Sequence, residues 1–297
     1  MSYDLYIGDQ TFSSWSLRGW LMFEAFNIPF RTHLAGLYSG TLKEDLAELA
    51  PARFVPVMKT PDGVPVGDTL AMAETLAERH PDAGLWPEDP AARALARWLV
   101  AEMHSGFGAL RGDCPMQLLG VVEGFEPSES VLADLTRIEE LWSIARAKFG
   151  RDNSPWLFGD YSLADVFYAP VAARIAGFSL PVSADAQAYV AAHLADPAFR
   201  RWRAMGLLKS YDPVPYIDGL PLSDWPGPAP LVAVACSGPS INDACPYSGD
   251  PVTDYLKLNG QVWGFCNPGC RDKTVNDPEA WPAFMAMVSA QLGTGRD

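Results

Sequence analysis

Basic residues are scarce in this chain. Its 297 residues carry 22 Lys and Arg against 36 Asp and Glu, a formal net charge of −14. Such an excess of negative charge argues against a nucleic-acid or anionic-membrane surface. Long apolar runs are also missing, and no stretch is long enough to cross a bilayer. The N-terminus enters a strand pattern with no basic segment or apolar core before it, so no signal peptide and a cytoplasmic setting are expected. Cysteine is absent before Cys114, and four of the five crowd the C-terminal stretch as Cys236, Cys245, Cys266 and Cys270. With nothing signalling secretion, clustered thiols point to metal binding or redox chemistry rather than a disulfide framework.

What is present is an ordinary globular composition, 48% hydrophobic and 20% charged, with ample material for a core. The length suits two domains, or two plus a small appendage. No internal repeat or low-complexity tract interrupts it.

Asp4-Leu5-Tyr6-Ile7 alternates as a strand and Leu17 to Phe26 reads as a helix. Pro29 to Leu34 reads as a second strand and Leu42–Leu49 as a helical segment. Val55 to Thr60 and Val64 to Gly67 flank Pro61-Asp62-Gly63, a hairpin signal, and a helix runs from Leu70 to Arg79. The order β-α-β-α-β-β-α is that of an α/β thioredoxin-like domain, placed at 1–82. Glu88-Asp89-Pro90 marks a linker. Ala91–Ser105, Ser128–Phe149, Leu163–Ala176 and Ala184–His193 then carry apolar residues at helical spacing, which predicts an all-α domain over 90–210. Ser162 and Asp165 have capping-box spacing, with Tyr161 and Val166 placed as a hydrophobic staple. Tyr211 to Pro230 has the Pro, Gly and Asp content of a linker.

Ser13-Ser14-Trp15-Ser16 lies at the turn between the first strand and the first helix. A serine there is a natural N-cap, accepting from an unpaired first-turn N–H. The same N–H groups and the helix dipole favour an anion, so a serine hydroxyl at this turn also suits a bound thiolate. Both readings stand on these residues alone. No thiol occupies the turn, which excludes disulfide exchange there.

Residues 1 to about 205 resemble the glutathione S-transferase family, on Phe12-Ser13-Ser14-Trp15-Ser16-Leu17-Arg18, Val55-Pro56-Val57, Asp68-Thr69 and Ser162 to Asp165 taken in order. The resemblance is to serine-type, zeta-like bacterial members. It implies that Ser13, with Ser14 as close competitor, activates the thiol of glutathione as co-substrate. It implies a cis-proline at Val55-Pro56 that opens Val55 for strand-like pairing with the tripeptide, and Asp68 and Thr69 holding its γ-glutamyl end. Trp15 belongs to the same binding turn. It stands where zeta-like members often carry cysteine, which argues against maleylacetoacetate isomerase chemistry. The helix through Met103-His104-Ser105-Gly106-Phe107 and the loop beyond it are expected to wall the electrophile. His104 reads as structural before catalytic.

Residues 231–297 stand outside that pattern. Leu231–Ala235 is apolar, and Asn259-Gly260 joins the strand-like Tyr255–Leu258 and Val262–Phe265 as a hairpin. The segment is similar to small YHS and TRASH modules, with Cys245 upstream of Cys266-Asn267-Pro268-Gly269-Cys270. Three such thiolates suit Zn or another thiophilic metal. The segment has no histidine, so Cys236, an acidic side chain or no fourth ligand completes the set. The expectation is therefore a glutathione transferase acting on a small electrophilic molecule, a homodimer as the family generally is, with this Cys module appended. The alternative is a non-catalytic glutathione-binding adaptor or a metal-handling protein.

Overall fold

Alternation along Tyr3–Ile7 buries Tyr3, Leu5 and Ile7 on one face, and this strand, β1, becomes an inner strand of a four-stranded sheet. The computed structural model describes residues 2–210, 214–216 and 220–293. β2 (Phe30–Leu34) lies parallel to β1, while β3 (Val57–Lys59) and β4 (Pro65–Gly67) continue antiparallel on the other side, in the order β2-β1-β3-β4. Helices α1 (Ser14–Glu24), α2 (Leu42–Asp45) and α3 (Thr69–Arg79) complete the thioredoxin-like order expected from the sequence. Helix α1 starts before the expected Leu17, because Ser13 caps it and Ser14, Trp15 and Ser16 form its first turn.

The helical part comprises α4 (Pro90–Ser105), α5 (Gly108–Asp113), α6 (Glu129–Phe149), α7 (Leu163–Gly177) and α8 (Ala184–Ala195). Helix α5 was not expected, being too short and too rich in Gly to show apolar periodicity. Every residue of α7 is buried, and it packs on both α1 and α4. Its capping box is formed: Ser162 N–H donates to Asp165 at 2.9 Å, and the Ser162 hydroxyl accepts from Ala164 N–H at 3.3 Å.

Two short strands, β5 (Val121–Val122) and β6 (Leu222–Ser223), pair antiparallel. Part of the segment expected as a linker thus enters a ladder; its residues 211–213 and 217–219 lie outside the described ones.

The chain divides into two compact units, 1–194 with 213–226, and 195–212 with 227–297. Helix α9 (Pro197–Gly206) continues the helical run of the sequence yet belongs to the second unit. There, β7 (Ala233–Cys236), β8 (Asp254–Leu258) and β9 (Gln261–Phe265) form an antiparallel sheet followed by α10 (Pro268–Asn276) and α11 (Pro282–Gly293). The expected Asn259-Gly260 turn joins β8 to β9, with φ of 51° and 81°. Leu256, Phe265, Trp281 and Phe284 build a core of its own for this unit. Among the described residues no helix is long and apolar enough to cross a membrane.

Candidate functional site

All seven residues expected at the thiol site, Ser13, Ser14, Trp15, Val55, Pro56, Asp68 and Thr69, line one cavity of about 830 Å³ in the first unit. That volume suits a small-molecule site. The Ser13 hydroxyl accepts from Ser16 N–H at 3.3 Å and donates to Ser16 Oγ at 2.8 Å, so the capping role is real. Ser16 Oγ in turn accepts from Gly8 N–H at 2.9 Å, tying the turn to the end of β1. Ser14 Oγ instead accepts from Arg174 Nη2 at 3.4 Å.

The Val55–Pro56 bond is cis. Neither the N–H nor the C=O of Val55 pairs with another main-chain group among the described residues, which leaves both available at the cavity wall. Asp68 caps α3, with Oδ1 accepting from Leu70 N–H at 2.8 Å and Ala71 N–H at 3.3 Å. It does so at φ 83°, a left-handed conformation uncommon outside glycine and worth relating to function. Thr69 Oγ1 is buried without a hydrogen-bond partner.

His104 enters the site through Asp68, with Nε2 at 3.3 Å from Asp68 Oδ2 and its ring edge-on to Trp15 at 5.1 Å. Burial lowers its pKa; Asp68 opposes this while Arg18 and Arg111 reinforce it. Met103 and Phe107 are buried and do not reach the cavity surface, contrary to expectation. The wall comes from α5 and the segment after it, with Arg111, Pro115 and Met116, and from Tyr38 and Tyr216, whose hydroxyls bond at 2.8 Å.

Sequence reasoning missed three arginines. Arg18 lies over one ring of Trp15 at 4.7 Å and over Phe167 at 5.3 Å, and Arg111 lies over Trp15 at 5.1 Å. Arg174 donates to the Cys114 carbonyl at 2.9 Å and, with Arg111, lines the cavity. None of the three makes an ion pair among the described residues. Arg18 is 1% exposed, and its Nε and Nη1 have no partner. Burial, with the charges of Arg174 and Arg111, brings its pKa down to about 9. Burial and Arg111 bring that of Arg174 down to about 10. A lone Arg in the apolar run Val171-Ala172-Ala173-Arg174-Ile175-Ala176 was the available signal, since a buried charge needs a reason. The geometry is that of a cavity in which two guanidiniums without an ion-pair partner among the described residues, Arg111 and Arg174, stand with the carboxylates of Asp68 and Asp113 beside two serine hydroxyls at a helix start.

The family model for the glutathione S-transferase N-terminal domain matches residues 12–79. A probable maleylacetoacetate isomerase of Caenorhabditis elegans is 30% identical over 196 residues, spanning 61% of this chain and 87% of that protein. The maleylacetoacetate isomerase of Rattus norvegicus is 29% identical over 143 residues, 47% of this chain and 62% of the relative. Among solved structures, a Burkholderia glutathione transferase homologue with bound glutathione superposes with TM-score 0.53 at 23% identity, over 70% of this chain and all of that one. A theta-class glutathione S-transferase from Xanthomonas axonopodis, also with glutathione bound, gives 0.51 at 22% identity, over 70% and 98%. This chain belongs to the glutathione S-transferase family.

In the second unit, Cys245, Cys266 and Cys270 place their sulfurs within 4.8 Å of one another. Cys236 and the acidic side chains do not join them among the described residues.

Proposed function

We propose that this chain binds glutathione in the cavity beside α1, holds its sulfur as thiolate, and delivers it to a small electrophile that carries a carboxylate. The observation that carries the reading is the convergence of Ser13, Ser14, Val55, Asp68 and Thr69 on the cavity that Arg111 and Arg174 line. Val55, with its free main-chain N–H and C=O, suits a peptide laid alongside it as an added strand. The unpartnered Thr69 hydroxyl and the Asp68 carboxylate suit the carboxylate and ammonium of a γ-glutamyl group.

Ser13 Oγ accepts from Ser16 N–H, which leaves its hydroxyl hydrogen to turn from Ser16 Oγ toward a sulfur anion. That hydrogen bond and the N-terminal dipole of α1 both favour the charged form of the thiol. A cysteine-type thiol ionises near pH 8.5, so depressing its pKa raises the nucleophile fraction at neutral pH. Arg111 and Arg174 give the electrophile its charge preference, because two cavity-lining guanidiniums without a carboxylate partner favour a bound anion.

The worm and rat relatives are named as isomerases. Reversible thiolate addition to a carbon–carbon double bond allows rotation before the thiolate leaves. One activated thiol therefore serves isomerisation as well as conjugation. Trp15, in place of the cysteine common in zeta-like members, favours conjugation as the net outcome here. The resemblance also carries a homodimer and a cytoplasmic setting.

The test is ultraviolet titration of the thiolate of bound glutathione, with conjugation kinetics, in wild type, Ser13→Gly and Ser14→Ala. Glycine keeps most of the capping tolerance, so Ser13→Gly isolates the hydroxyl. A bound-thiol pKa below 8.5 that climbs in Ser13→Gly, with turnover falling about 100-fold, is expected. Unchanged titration and turnover in both variants would sink the reading. Tight glutathione binding without turnover of any electrophile would instead leave the adaptor alternative.

A further inference from the structure

The three clustered sulfurs of the second unit come from three separate places: a turn before Tyr247, the residue after β9, and the first turn of α10. Donors surround Cys245 and Cys266. Cys245 receives main-chain N–H groups of Tyr247, Ser248 and Cys266. Cys266 Sγ accepts from Ser248 Oγ at 3.3 Å and Asn267 Nδ2 at 3.2 Å. Cys270 stands in the first turn of α10, capped by Asn267, whose Oδ1 accepts the Cys270 N–H at 2.9 Å. Donors aimed at sulfur suit thiolate, and a helix start does the same. Three thiolates this close repel one another unless a cation lies between them.

The spacing and the donor atoms suit a thiophilic cation. Zn–S bonds of about 2.3 Å at tetrahedral angles put ligand sulfurs about 3.8 Å apart. Cys266 and Cys270 are already at 3.9 Å, and no pair in the cluster exceeds 4.8 Å. Thiolate is the wrong donor for Mg, Ca or Mn. Among the described residues no further Cys, His, Asp or Glu joins the cluster. We infer that Cys245, Cys266 and Cys270 bind one Zn²⁺ through three thiolates, leaving the fourth position to water or an external ligand. Such a site differs from the closed four-ligand kind, because one ligand exchanges. The net charge of the three-thiolate Zn²⁺ group is −1, and the nearby Lys273 opposes it. The inference is independent of the glutathione site.

The experiment uses the full chain, reduced and stripped with a chelator, titrated with Zn²⁺ against a chromophoric chelator and separately with Co²⁺. One equivalent is expected, with a thiolate-to-cobalt charge-transfer band of three-thiolate intensity. A small added thiol is expected to shift the cobalt ligand-field bands by taking the open position. Cys245→Ser, Cys266→Ser and Cys270→Ser should each lose about tenfold or more in affinity, with Cys236→Ser unchanged. Circular dichroism checks that each variant stays folded, which the apolar core of this unit favours. Substoichiometric uptake by folded, reduced wild type overturns the inference. So does Cu⁺ uptake with no Zn²⁺ bound, or affinity indifferent to all three cysteine changes.

Discussion

Gly19 of helix α1 approaches Pro56 so closely that a Cβ on it would lie 2.8 Å from both Cβ and Cγ of the proline ring. Glycine inside a helix normally costs up to about 1 kcal/mol relative to alanine. Here that cost is accepted, because it lets α1 carry Ser13 and Ser14 against the Val55–Pro56 step. The proline ring cannot swing aside, so Gly19→Ala gains helix propensity but incurs an overpacking cost of about 1–3 kcal/mol. The steric term wins. The expected result is a small net loss of stability by urea unfolding and a larger loss of glutathione affinity by calorimetry, because Val55 moves with Pro56. Unchanged affinity would mean that Val55 does not set the tripeptide's position.

Arg18 gives the opposite trade. A fully buried guanidinium with two unpartnered nitrogens and two like-charged neighbours destabilises the fold. Arg18→Met keeps length and apolar stem while removing the charge. Stability should rise by about 1–3 kcal/mol, seen as a higher midpoint in thermal unfolding. The kcat/KM ratio for a carboxylate-bearing over a neutral electrophile should fall in the same variant. A stability gain with that ratio unchanged would remove Arg18 from substrate selection.

His193 and Asp165 set opposing pH dependences within the helical part. Burial brings the His193 pKa from 6.5 to about 3. Below pH 6.5 the unfolded chain takes up a proton that the fold refuses, so stability falls as pH drops. Burial raises Asp165 from 3.8 to about 6 against the bonds it accepts from Tyr189, Ser162 and Leu157. The fold therefore holds a proton that the unfolded chain releases, and stability rises as pH falls from about 6 to 3.8. Each slope reaches about 1.4 kcal/mol per pH unit. Where their windows overlap, between about pH 6 and 3.8, the two nearly cancel. His193→Leu leaves only the second, so its stability relative to wild type should climb by roughly 2 kcal/mol between about pH 6.5 and about pH 4.5. Urea unfolding at those two pH values measures it, and a flat difference would show that His193 does not titrate as its burial implies.

Much of this was legible in order along the chain. Strand alternation, the Asp62-Gly63 and Asn259-Gly260 turns and the Ser162–Asp165 box are local signals, each set by neighbours within a few residues. The thiol-site residues were legible too, since each lies at an element boundary where a cap, a proline or a short turn restricts the backbone. Helix α5 was not, because six residues rich in glycine hold no period. The register of Ser13 against Leu17 was misplaced because capping, rather than hydrophobicity, decides where α1 begins.

The sequence by itself determined the thioredoxin-like order, the serine turn and the three-cysteine spacing, because each depends on short-range periodicity and turn chemistry. Tertiary structure alone decided that Arg111 of α5 and Arg174 of α7 line one cavity with Arg18 of α1 buried against Trp15, and that Asp68 meets His104. It also decided that Cys236 stays apart from the other three thiols. These are distances between elements far apart in the chain. They follow from how whole faces pack, which no local pattern encodes.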